Sequence, residues 1–104
     1  MTTSISSIQH GIVFLMAPWS GPAVMAWQHL RDYLAAHAPG ATYLSINVDQ
    51  EPAVYEVPGL AGRIHGWGEA AVVRDGRVVF CTALAKDPAQ IASLCDELLR
   101  AYER

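Results

Sequence analysis

The chain has 104 residues, 52% of them hydrophobic, and a formal net charge of −3. That length makes one domain with enough apolar material for a real core. The mild negative charge, with no basic cluster, excludes nucleic acid as an expected partner. No apolar run approaches the roughly 20 residues of a membrane span.

The start, Met1-Thr2-Thr3-Ser4-Ile5-Ser6-Ser7, lacks the basic-then-apolar order of a secretory signal. Residues 1–11 read as a polar tail of a cytoplasmic protein, and residues 12–104 as its domain. Ile12 to Met16 is a continuous apolar run, short enough to predict a buried strand. Pro22 opens a helix, where its missing N–H costs nothing. Ala23, Ala26, Trp27, Leu30, Tyr33 and Leu34 then fall at three- and four-residue spacings to about His37, and Pro39-Gly40 ends the helix. Trp27 sits on that stripe and is expected in the core. Ala41 to Val48 predicts a second strand, parallel to the first, which completes a βαβ unit.

Glu51-Pro52 can start a helix with Val54, Tyr55 and Val57 on its inner face, broken by Pro58-Gly59. His65-Gly66-Trp67-Gly68 is a glycine-rich loop. Ala70 to Val73 and Val78 to Cys81 are β-rich runs on either side of Asp75-Gly76, a strong hairpin signal. Asp87 reads as the N-cap of a last helix, with Pro88 inside it. Ile91, Leu94, Cys95, Leu98, Leu99 and Tyr102 form its apolar stripe. The βαβ unit joined to a ββα unit predicts an α/β fold: a mixed four-stranded sheet with helices on both faces.

Four stretches carry a resemblance. Trp19-Ser20-Gly21-Pro22-Ala23 follows the first strand. Val48-Asp49-Gln50-Glu51-Pro52 follows the second. Ile64-His65-Gly66-Trp67-Gly68 precedes the hairpin, and Asp75-Gly76 forms its turn. In this order and spacing they resemble the thioredoxin family's Trp-Cys-Gly-Pro-Cys, Val-Asp-x-x-Pro, Ile-x-x-Ile-Pro and Asn/Asp-Gly. The resemblance runs from about Ile12 to the C-terminus and implies a thioredoxin-like fold. The family's N-terminal strand and helix are expected to be missing, which would uncover one edge of the sheet. The stretch from Pro52 to Gly68 is a few residues longer than the family's. Its insert, Pro58-Gly59-Leu60-Ala61-Gly62, is expected near the former redox site.

The departures bear on function. Family chemistry needs a thiolate nucleophile and a resolving thiol. The resemblance puts Ser20 and Ala23 in those two places. It puts Phe14 where the family has a buried Asp, Ser45 where it has a Lys, and Gly68 where it has a cis-Pro. A cis bond before a residue other than proline costs about 2.5–4 kcal/mol, so Gly68 is expected in a trans loop.

The implied function is a redox-inactive protein-binding or assembly module. Its expected contact surface is the groove around Trp19, Ser20, Trp67 and Gly68, and its expected partner a protein or peptide. The alternative is a thiol-disulfide oxidoreductase, either a Cys-to-Ser/Ala variant or a user of Cys81. A homodimer through the uncovered sheet edge is a third expectation.

Little else in the chain points to chemistry. Ser20 beside a helix start is expected to be an N-cap. His10, His29, His37 and His65 show neither triad nor metal-ligand spacing, and Gly-x-Ser-x-Gly is absent. Cys81 and Cys95 lie in apolar contexts with no Cys-x-x-Cys. They read as small core residues, Cys81 at a strand end being the more exposed. No catalytic residue, metal or cofactor is expected.

Overall fold

The first apolar run is the strand β1, His10–Met16, buried from Gly11 to Leu15. It is apolar on both sides because it is central. Tyr43–Asn47 forms β2, Glu69–Arg74 forms β3 and Arg77–Ala83 forms β4, and the sheet order is β2-β1-β3-β4. β1 runs parallel to β2 and antiparallel to β3, and β3 and β4 form the hairpin. The helices are α1, Gly21–His37, and α2, Ile91–Glu103. The computed structural model describes residues 3–104.

The sheet divides the core in two. On one face, Ile12, Phe14, Ala70 and Val72 pack against Ala26, Leu30 and Leu34 of α1 and against Ile91, Cys95 and Leu98 of α2. On the other, Val13, Leu15, Ala71 and Val73 pack against Ile5, Val54, Leu60 and Ile64. Helical segments cover both faces, but unequally. Both α-helices pack on the first, apart from Ala23 in the first turn of α1, and short 3-10 helices, Ser4–Ser7 and Pro52–Glu56, lie on the second.

Pro52–Glu56 is one 3-10 turn where an inner α-helical face was expected. Prolines explain the difference. Pro58 lacks the N–H that would continue an α-helix, and Val57 before it is forced extended, at φ −66° and ψ 129°. Val54 is buried, but Tyr55 points to solvent.

The expected polar tail is a further correction. Met1 and Thr2 lie outside the described residues, but residues 4–11 belong to the fold. Ile5 is buried in the second core. Ser4 donates to the Glu51 carboxylate through its N–H at 3.1 Å and its hydroxyl at 2.5 Å. The hairpin turn clasps the same segment, with Asp75 N–H donating to Gln9 O and Gly76 N–H to Ile8 O, each at 2.8 Å. The serines that looked solvated therefore surround one core isoleucine. Burying it stabilises the fold by about 2–3 kcal/mol.

The hairpin turn has positive φ at both Asp75 and Gly76, as a type I′ turn requires. Val79 is an extra residue between the Val72–Phe80 and Val73–Val78 pairs, a bulge on the outer strand. Such a bulge turns an edge away from further pairing. The other edge, β2, has β1 as its only strand neighbour among the described residues. Thr42 O and Val48 N–H bond to β1, so the alternate residues Tyr43 and Ser45 direct their backbone groups outward.

Candidate functional site

The site is built where β1 ends. Ala17 O accepts the Ser20 N–H at 3.0 Å, and this tight turn swings Trp19 outward before α1 begins. Ser20 is the N-cap: its Oγ accepts the Ala23 N–H at 3.2 Å. Pro22 stands in the first turn of the helix. Ala23 is fully buried in the second core, among carbon atoms.

The Ser20 hydroxyl also donates to Gly66 O at 2.5 Å. Its proton and a lone pair are thus both engaged, which ties the start of α1 to the glycine-rich loop. His65 does not assist it; the His65 ring bonds Gly62 O at 2.8 Å. The hydroxyl caps the helix and cross-links it to the loop.

Gly66 and Gly68 are required by shape. A Cβ on Gly66 would lie 2.7 Å from the Trp19 ring, and one on Gly68 would lie 2.5 Å from the Ala26 Cβ. Both have positive φ, +81° and +70°. No cis peptide occurs among the described residues, so the loop at Gly68 is trans. Phe14 fills the space beneath it. Its ring pairs with Trp27 at 5.1 Å between centroids, and its register partner on β2 is Ser45. Trp27 is partly buried against the core, as its helical spacing implied.

Sequence reasoning missed Glu69. This carboxylate is only 1% exposed. It accepts the Gly66 N–H at 3.3 Å and the Trp67 N–H at 3.1 Å. A carboxylate that deep needs such partners, since an unpaired buried charge is costly. The available signal was an acid opening an otherwise apolar strand, directly after Gly-Trp-Gly. Together with Trp67 O, which accepts the Ala85 N–H at 2.8 Å, Glu69 fixes the loop backbone. Trp19 is 64% exposed and Trp67 41% exposed on either side of this fixed loop.

The insert runs differently from expectation. Pro58 and Gly59 lie against Val78, beside the hairpin turn at the opposite end of the sheet. Leu60 then plugs the second core, and the chain crosses that face before Gly62 and Arg63 reach Trp67. The burial of Leu60 sets this route.

Cys81 and Cys95 pack on opposite faces of the sheet, and both are free. Burial pushes the half-buried Cys81 thiol up, and the Arg63 guanidinium offsets part of that rise. Burial, with the nearby Asp96 carboxylate, pushes Cys95 up to about 11. Neither is an activated thiolate at neutral pH. No group of three metal-ligating side chains occurs among the described residues. No described helix is long and apolar enough to cross a membrane.

No protein-family model and no curated protein matches the sequence. Solved structures match the fold. Reduced desulfothioredoxin from Desulfovibrio vulgaris Hildenborough superposes with a TM-score of 0.63 at 17% identity, over 89% of this chain and 85% of its own. A mutant thioredoxin from Halobacterium salinarum NRC-1 gives 0.64 at 22% identity, over 95% of this chain and 79% of its own. Thioredoxin from Fasciola hepatica gives 0.62 at 20% identity, over 88% and 80%. The chain has an α/β, thioredoxin-like fold.

Proposed function

We propose that this thioredoxin-like fold serves as a redox-inactive binding module, recognising a protein or peptide through the surface around Trp19, Ser20, Trp67 and Gly68. The observation that carries the reading is the pair of exposed indoles on a backbone locked by Ser20 and Glu69. Exposed aromatic side chains on a rigid frame are the usual anchors of protein recognition. The loop N–H groups of Gly66 and Trp67 are occupied by Glu69. Binding at this loop therefore works through side chains rather than by adding a strand.

Three features of the chain oppose thiol chemistry. The Ser20 hydroxyl is engaged at both ends, Ala23 has no heteroatom, and both cysteines are raised by burial. The competing reading, a thiol-disulfide oxidoreductase using Cys81, makes a different prediction in an insulin-reduction assay with dithiothreitol. The binding module gives the uncatalysed rate. Catalytic turnover abolished by Cys81→Ser would establish the oxidoreductase instead.

The outward backbone of Tyr43 and Ser45 favours one further surface, pairing of β2 with a second copy of the chain. Sedimentation at high concentration tests it, and a monomeric mass would count against it.

A further inference from the structure

Beside Trp67 lies a cleft of about 300 Å³ between the loop and β4, lined among others by Arg63, His65, Trp67, Glu69, Cys81 and Lys86. Its charge differs from that of the molecule. The chain carries ten acidic residues against seven Lys and Arg, yet Arg63 and Lys86 both stand exposed on this cleft, with the exposed His65 beside them. Glu69 is the only carboxylate among the lining residues. It is buried, and its oxygens accept the Gly66 and Trp67 N–H groups. Asp87, next to Lys86 in sequence, caps the following turn at Ala89 N–H, 3.2 Å away. Among the lining residues, the exposed Lys and Arg side chains therefore face no exposed carboxylate. The interior offers the Trp67 indole and the half-buried Cys81.

We infer that the occupant of this cleft is an acidic peptide segment with an apolar side chain: its carboxylates pair with Arg63 and Lys86 while the apolar group packs on Trp67. The inference rests on the binding-surface reading above and adds the partner's chemistry to it. Rim charges of this kind raise the association rate and select partners by sign, and salt weakens them.

The test is selection from a random-sequence peptide display library on the intact chain, on Arg63→Gln/Lys86→Gln and on Trp19→Ala/Trp67→Ala. Each variant is first matched to the parent in thermal midpoint; all four side chains are exposed, so folding is expected to survive. The expected result is enrichment of peptides with Asp or Glu flanking an apolar residue. Affinity for a synthesised winner should fall about tenfold on the charge variant, and it should weaken with added salt. Peptides without acidic bias that still need the two tryptophans would overturn the acidic inference and leave the binding-surface reading standing. No enrichment, or enrichment indifferent to the tryptophans, would overturn both.

Discussion

The Ser20 hydroxyl donates to the Gly66 carbonyl at 2.5 Å, joining the first turn of α1 to the loop that carries Trp67. The same oxygen caps the helix through the Ala23 N–H. Ser20→Ala removes both bonds and leaves a nearly buried carbonyl short of a partner. The expected loss is about 1–2 kcal/mol in urea unfolding. Insulin reduction should stay at the uncatalysed rate in parent and variant alike.

Gly68 and Gly62 form a matched pair for testing how closely α1 seats on the loop. Both have positive φ, +70° and +77°. A Cβ at Gly68 meets Ala26 at 2.5 Å, whereas one at Gly62 meets nothing within 4 Å. Gly62→Ala should cost only the backbone term, about 1 kcal/mol. Gly68→Ala adds the clash and should cost about 3 kcal/mol or more. Equal costs by chemical denaturation would show that the helix gives way without strain.

Ile5→Ala tests the N-terminal segment. Ile5 is buried, and Ser4 and Gly76 hold the segment around it. The expected loss is about 2–4 kcal/mol, measured by urea unfolding. A change within about 0.5 kcal/mol would mean that the segment adds nothing to the fold.

The thiols predict a pH dependence. Cys95 is raised from 9.0 to about 11, and Tyr33 from 10.0 to about 12 by burial and its hydrogen bond to Asp96. A raised acid keeps its proton longer in the folded chain than in the unfolded one. The stabilisation from Cys95 is therefore complete below about pH 9 and is lost as pH rises from 9 towards 11. Thermal midpoints should fall across that window, and less steeply in Cys95→Ala. At pH 8, alkylation of Cys95 should wait for unfolding, and that of Cys81 should lag behind a free peptide thiol.

How much of this was legible in the sequence varied with the physics of each segment. The apolar run of β1, the Pro22 start of α1, the Asp75-Gly76 turn and the stripe of α2 each state a local preference that the tertiary structure keeps. The Pro52–Gly68 segment was misread, because two prolines six residues apart fit a helix start and a helix stop but leave room for little more than one turn, which closes as a 3-10 turn. The N-terminal segment looked polar because its one core residue, Ile5, stands among serines. At the candidate surface, motif spacing singled out Trp19, Ser20 and Trp67; Ser20 caps α1 and both indoles stand exposed. Glu69 was passed over: its only signal is an acid opening an apolar strand after Gly-Trp-Gly, and the partners that make its burial tolerable are loop backbone N–H groups, which no side-chain pattern records. The cationic cleft was equally hidden, since Arg63 and Lys86 meet only through the fold.

The measurement closest to the central proposal is affinity for a partner, with and without the two indoles. A protein retained from native extract by this chain would be purified and titrated calorimetrically against the parent and against Trp19→Ala/Trp67→Ala of equal thermal midpoint. Loss of at least about tenfold in affinity is the result we predict, as two anchor side chains would give. Equal affinity for parent and variant would contradict the proposal and move the binding surface away from Trp19 and Trp67.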